Sequence, residues 1–443
     1  MGRCTECGEW NSFVETAVSK VDGRARAAGE APQSLPLSSV DPLEGIRIKS
    51  GITELDRVLG GGIMKRSAIL IGGEPGIGKS TLLLQAAAAV SDPQSSIKGR
   101  ILFVSGEESA GQVKMRSDRL GLNADRIEIF CSGNLEEIQT IIEKVKPVLI
   151  MIDSAQTLFS AEAGSSPGTV NQMKFCSWEL VSWIKEHDSA LFLSAHVTKD
   201  GQISGPKSLE HLVDTVLYFE DSTQASNDGS TRFLRAVKNR FGSTEEIGIF
   251  TMGEKGLSTV EDPSLLFLVR REGDLPPGIT TAAVLEGSRT LLVEIQALTV
   301  PAKGAVSRVF SDRIDHARVS RVAAVIEKHL GLRLSDQDIY VNIAGGIRIT
   351  ETGAELALAC ALYSARTGIP APVKTAIAGE LSIAGEVRPL RRLSGRIKTA
   401  RNLGFTGFLC PPPPAEEDLP SEGFSGVNNI KEAVKSLFSN TNM

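Results

Sequence analysis

The sequence predicts an α/β protein: a buried, mainly parallel sheet with helices around it, followed by a smaller αβ part. Three observations predict it. Between Ile46 and Leu257, short apolar runs alternate with amphipathic stretches. One of these runs leads directly into a glycine-rich loop and a helix pattern. After Pro263 the composition shifts and a second alternation of strand and helix patterns begins.

The apolar runs are Ser67–Ile71, Ile101–Ser105, Arg126–Phe130, Val148–Asp153, Ala190–Ala195 and Thr215–Phe219. Several are too short for core helices and are bounded by turn residues, so they read as buried parallel strands. Phe233–Lys238 and Ile247–Thr251 alternate more strongly and are expected to close the sheet as antiparallel strands. Residues 264–410 mix strands (Ala282–Leu285, Leu291–Ala297) with helices (Arg318–His329, Ala354–Ala365). The Pro411–Pro414 run breaks any element there, and a short helix is expected over Asn429–Ser439. No internal repeat is visible.

A chain of 443 residues fits two or three domains. With 41% hydrophobic and 23% charged residues it is globular in composition, not disordered. No run of about 18 apolar residues offers a membrane span, and the N-terminus lacks an apolar signal core, so a cytoplasmic location is expected. The six cysteines are sparse, and Cys131, Cys176 and Cys360 lie in apolar stretches, which suits a reducing compartment better than a disulfide framework. A formal charge of -5 argues against coating nucleic acid through bulk charge, but leaves room for local basic tracts.

Residues Gly73-Glu74-Pro75-Gly76-Ile77-Gly78-Lys79-Ser80 match G-x-x-x-x-G-K-S, between an apolar strand and the helix pattern opening at Thr81. Glycines let the backbone amides of residues 76 to 80 wrap a phosphate, aided by the helix N-terminus. Lys79 would reach the β- and γ-phosphates of ATP, and the Ser80 hydroxyl would ligate Mg²⁺. Asp153 ends an apolar strand and suits the same Mg²⁺ shell. Glu107 and Glu108 follow another strand. Glu107 is taken as the group that orients and deprotonates the attacking water, and Glu108 as a helix-start residue. His196 ends a further strand, where it can sense the γ-phosphate and pass its presence to the loop 197–209.

Together, Ser50-Gly-Ile-Thr-Glu-Leu-Asp-Arg-Val-Leu-Gly-Gly-Gly62, the phosphate loop, Val104-Ser-Gly-Glu-Glu-Ser109 and Lys238-Asn239-Arg240-Phe241-Gly242 resemble the bacterial RadA (Sms) family of DNA repair ATPases. The resemblance covers nearly the whole chain, and its Lys-Asn-Arg-Phe-Gly pentapeptide is highly specific. It implies a RecA-like core over residues 46–257 and a homo-hexameric ring. It implies ATP-driven branch migration of recombination intermediates on single-stranded and branched DNA, and a RecA-type recombinase as partner. It also implies that Glu107 is the catalytic glutamate, and that Lys238 and Arg240 act across the subunit interface.

Residues 258–443 resemble the Lon protease domain, a ribosomal S5-like α+β fold, with both catalytic positions changed. The nucleophile position is Ala354, and Ser394 stands where the base lysine would be, so peptide hydrolysis by that mechanism is not available. Basic residues remain. Arg388, Arg391, Arg392, Arg396, Lys398 and Arg401 form one tract, and Lys303, Arg308, Arg313, Arg318 and Arg321 another. Arg308, Arg313, Arg388, Arg391, Arg392, Arg396 and Lys398 are the candidate DNA contacts, acting on phosphates. Aromatic residues are 5% of the chain, so base stacking is not an evident mode.

The family begins with four cysteines that close a zinc site. This chain supplies only Cys4 and Cys7, followed by Gly8-Glu9-Trp10-Asn11, and two thiolates do not close such a site. Residues 1–14 therefore read as a finger remnant, the retained residues favouring a missing upstream segment, and 15–45 as a linker. Poor order is expected over 1–45, with Zn²⁺ bound only if the other half of the finger exists. The rival readings are an ATP-gated DNA-binding scaffold, an ATP-dependent protease, and a RecA-fold clock or signalling ATPase that would not require DNA.

Overall fold

The computed structural model describes residues 36, 38, 47–92, 98–196, 206–221, 231–260, 262–269, 271, 273–304, 307–413 and 422–439. Cys4, Cys7, nearly all of the expected linker and most of the loop 197–209 lie outside these residues.

The first part opens with β1 (Arg47–Ile48), α1 (Thr53–Val58), β2 (Ile63–Met64), β3 (Ala68–Gly73) and α2 (Lys79–Ser91). It continues through β4 (Ile101–Ser105), α3 (Ala110–Arg119), β5 (Ile127–Phe130), α4 (Leu135–Val145), β6 (Leu149–Asp153), α5 (Val170–Glu186), β7 (Ala190–His196), α6 (Pro206–Leu209) and β8 (Thr215–Asp221). It closes with β9 (Thr231–Asn239), β10 (Ile247–Gly253) and β11 (Gly256–Thr259).

The resulting nine-stranded sheet has the order β11-β10-β9-β8-β3-β7-β6-β4-β5. Its β8-β3-β7-β6-β4-β5 segment is parallel, and β9, β10 and β11 add antiparallel. β3, β4, β6 and β7 are almost entirely buried because helices cover both faces. The run at 126–130 departs from the buried reading. β5 is parallel but stands at the edge, with β4 on one side only, and Ile129 is 39% exposed.

The second part contains β12 (Ile279–Glu286), β13 (Arg289–Pro301), β14 (Val309–Ser311), α7 (His316–Leu330), β15 (Gln337–Ile343) and α8 (Glu355–Thr367). β16 (Thr375–Ile377), β17 (Glu380–Leu381), β18 (Val387–Arg388), α9 (Leu393–Asn402), β19 (Gly407–Cys410), β20 (Phe424–Gly426) and α10 (Ile430–Phe438) complete it. A seven-stranded mixed sheet, β14-β15-β13-β12-β16-β19-β20, forms its centre. Residues of α7, α8 and α10 pack in one core with residues of β12, β13 and β15. α9 packs with β12, β16 and β19 in another.

Both sheets belong to one compact unit, Gly45–Met443. No helix among the described residues is long and apolar enough to cross a membrane. Cys176, Cys360 and Cys410 are buried, and burial pushes each thiol up to about 12. Cys131 is exposed, contrary to its apolar neighbourhood in sequence.

Candidate functional site: a phosphate loop and its carboxylates

The phosphate loop leaves the carboxyl end of β3 and enters α2 at Lys79. Gly76 and Gly78 hold φ of +78° and +116°, where a side chain would be strained, and a Cβ on Gly78 would lie 2.6 Å from the Met252 methyl. The helix cap, Gly78, offers no side-chain acceptor, so the first amides of α2 have no side-chain cap. Lys79 is 4% exposed. Its ammonium donates to the carbonyls of Gly73 and Glu74, each at 2.9 Å, and meets His196 Nδ1 at 3.0 Å. Burial lowers its pKa to about 8, against the opposing pull of Asp153 and Glu107.

Four strand ends converge on this ammonium. Glu107 follows β4, Asp153 ends β6, and His196 ends β7 beside Gly73 of β3. With His196 Nδ1 accepting from Lys79, the ring proton sits on Nε2, 3.4 Å from Glu107 Oε1. The Ser154 hydroxyl donates to Glu107 at 2.6 Å, and the Ser194 hydroxyl donates to Asp153 at 2.6 Å. Of the adjacent glutamates, then, Glu107 faces the site. Glu108 instead pairs with Arg116, and the start of α3 is made by Ser109 in a reciprocal capping box with Gln112. The helix-start role expected of Glu108 belongs to Ser109, because a short hydroxyl reaches the N3 amide and the Glu108 carboxylate is drawn to a cation about two turns away.

A cleft of about 540 Å³ opens beside the loop, lined by Thr81, Arg119, Leu120 and residues 252–256 of the β10–β11 turn. Its volume suits a nucleoside. Sequence reading missed it because its walls come from segments more than a hundred residues apart.

The pentapeptide 238–242 lies elsewhere. Lys238 pairs across the sheet with Val216, which pairs with Leu70, whereas Gly73 is level with Phe219 and Leu234. The motif is therefore about 10 Å back along the strands, toward the end of the sheet opposite the phosphate loop. The Lys238 ammonium donates to the carbonyls of Glu210 (2.7 Å) and Val213 (2.8 Å). Burial, then the Arg240 charge, lowers its pKa. Arg240 is 59% exposed and pairs with Asp214 at 3.3 Å. Asn239 donates to the Val58 carbonyl at 3.2 Å, and Arg47 bridges the carbonyls of Leu59, Gly62 and Phe241. A Cβ on Gly242 would come within 3.0 Å of Gly60. The structure thus joins the 50–62 motif to the pentapeptide.

The candidate DNA contacts divide. Arg391, Arg392 and Lys398 are exposed on or just before α9, and Arg313 is partly buried. Arg308 and Arg388 are exposed but paired, with Asp338 at 2.8 Å and Glu380 at 3.2 Å. Arg396 is a correction: it is 2% exposed, forms a forked ion pair with Glu351, and donates to the Ala283 carbonyl at 2.7 Å. It faces the core side of α9 and presents nothing to a phosphate. Arg318 and Arg321 both pair with the buried Glu355, Arg318 partly buried and Arg321 exposed. Aromatic residues are few but grouped. Phe310 and Tyr340 stack at 4.7 Å and are 43% and 38% exposed, in one cross-strand row with the exposed Leu298. Ala354, at the nucleophile position, is a buried methyl, and Ser394 is exposed on α9. Among the described residues there is no group of three or more metal-ligating side chains. Asp153 and Ser80 fit Mg²⁺ only with phosphate oxygens completing its shell.

A glycine-cradled helix N-terminus, a desolvated lysine and convergent carboxylates on a parallel sheet define a P-loop ATPase with a RecA-like core, followed by a Lon-protease-like domain. Residues 32–202 match the family model described as AAA domain, and residues 310–413 match that of subunit ChlI of Mg-chelatase. The chain is 53% identical over 442 residues to the DNA repair protein RadA of Treponema pallidum (strain Nichols), covering 99% of this chain and 94% of that one. It is 41% identical over 442 residues to the DNA repair protein RadA of Bacillus subtilis (strain 168), covering 98% and 94%. To that of Rickettsia bellii (strain RML369-C) it is 42% identical over 433 residues, covering 97% and 94%. The chain belongs to the RadA family.

Proposed function

We propose that this protein is a DNA-dependent ATPase of recombinational repair that drives branch migration on single-stranded DNA. The carrying observation is the convergence of Lys79, Glu107, Asp153 and His196 on one sheet edge. Residues 46–257 are the motor, and 258–443 a proteolytically inactive Lon-like domain that grips DNA through Arg391, Arg392 and Lys398. The amides of α2 and Lys79 hold the phosphates, and Ser80 and Asp153 hold Mg²⁺. That ion, when bound, neutralises charge on the phosphate oxygens. Glu107, oriented by Ser154, accepts the proton of the attacking water. His196, between Glu107 and Lys79, registers whether phosphate has drawn the ammonium away.

Lys238 and Arg240 act on a neighbouring subunit's site in a homo-hexameric ring. Their distance from the protomer's own phosphate loop and the exposure of Arg240 support this use. A RecA-type recombinase as partner and a cytoplasmic location follow from the family. Peptide hydrolysis is not part of the proposal, since Ala354 offers no nucleophile.

Phosphate release measured with and without single-stranded oligonucleotide tests the reading. Stimulation by the oligonucleotide, declining with salt, is expected. Equal turnover in both conditions, with no oligonucleotide binding at low ionic strength, overturns it.

A further inference from the structure

We infer that Arg289 and Glu54 are positioning residues that couple the DNA-gripping part of the chain to the 238–242 loop, an inference that rests on the function proposed above. Glu54 is 2% exposed at the start of α1. Arg289, the first residue of β13, grasps both of its oxygens, at 2.6 and 2.8 Å. The same carboxylate accepts the Ile249 amide of β10 at 2.9 Å. The far end of α1 carries the pentapeptide: Val58 O accepts from Asn239, and Leu59 O accepts from the Arg47 guanidinium that also holds Phe241 O. α1 is thus a six-residue lever, fastened to the second sheet at one end and to the signature loop at the other.

The turn 286–289 that supplies Arg289 is itself seated on the first sheet. Arg235 of β9 pairs with Glu286, and the Ser288 hydroxyl donates to Glu246 at 2.6 Å. Gly287, at φ +61°, lies so close to the Glu245 carbonyl that a Cβ would collide with it. One exposed arginine of the proposed DNA surface reaches this turn: Arg392 approaches the Ser288 carbonyl at 3.4 Å. DNA bound at residues 391–398 therefore acts one residue from the Arg289 fork. A buried ion pair of this kind adds little net stability over a neutral replacement, but its planar fork fixes the angle between the elements it joins. Its role is to transmit orientation.

The test is the double variant Glu54→Gln/Arg289→Met, which leaves Ile249 an acceptor and removes both charges of the fork, leaving only the partly exposed Arg57, 3.7 Å from Glu54, without its carboxylate. Phosphate release is measured at saturating ATP, with and without a single-stranded oligonucleotide, together with KM for ATP and thermal unfolding. Basal turnover and KM are expected within twofold of the parent, while stimulation by the oligonucleotide falls at least threefold. A merely structural role would move the unfolding temperature and leave the stimulation ratio intact, and that result overturns the inference. If the double variant does not fold, Arg289→Lys decides in its place. It keeps the charge and loses the fork, and parent-level stimulation in it also overturns the inference. A parent that shows no stimulation sinks the proposed function, and this coupling with it.

Discussion

Lys79 is held in a place that disfavours its charge when no nucleotide is bound. The amine lies 4% exposed, its donors spent on two backbone carbonyls and an imidazole nitrogen. Its pKa falls from 10.5 to about 8, burial being the main cause. That difference corresponds to about 3 kcal/mol against the folded ammonium. The folded value lies below the unfolded one, so the penalty is present in full below about pH 8. It shrinks as the folded amine loses its proton first, and is gone above 10.5. Lys79→Met removes the penalty, and also three hydrogen bonds worth about 1 kcal/mol each. At pH 7 the two terms offset each other, and the nucleotide-free variant is therefore expected to match the parent in stability. It should be about 3 kcal/mol less stable above pH 10.5, while losing ATP turnover at every pH. Urea unfolding of both proteins without nucleotide, at intervals from pH 7 to 10.5, measures this. A stability difference that stays constant over that range, or moves in the variant's favour, refutes the desolvation argument.

Four further outcomes are expected. Glu107→Gln should lower phosphate release by about 100-fold or more while ATP binding stays within a few-fold, since only the base is lost; near-parental turnover would place the base elsewhere. Arg396→Met should destabilise the protein by about 3 kcal/mol, leaving Glu351 without its cation, with oligonucleotide affinity unchanged. Arg391→Ala and Lys398→Ala should weaken oligonucleotide binding and each reduce its salt slope by about 1. A reversed pattern in titrations at two salt concentrations would return Arg396 to the DNA surface. Lys238→Ala should impair oligonucleotide-linked turnover more than nucleotide binding; loss of ATP binding by isolated protomers would place Lys238 in its own subunit's site.

The phosphate loop was legible because it is local: eight consecutive residues between a strand and a helix set their own backbone geometry. The buried parallel strands were legible as near-continuous apolar runs, since burial on both faces removes the polar alternation. Partners were not legible. A linear reading counted Arg396 among the phosphate contacts because no acid lies near it in sequence, and its acid, Glu351, is 45 residues away. Nor could sequence show that Ser109 caps α3 while Arg116 claims Glu108, or that Asn239 hangs on Val58 across 181 residues. The sequence by itself determined which groups can do chemistry, since backbone freedom, hydroxyls and carboxylates are properties of single residues and short spacings. Only the tertiary structure decided which charges are free to meet a ligand and which are spent within the fold, because an ion pair is made by proximity in space, and chain distance carries almost no information about that.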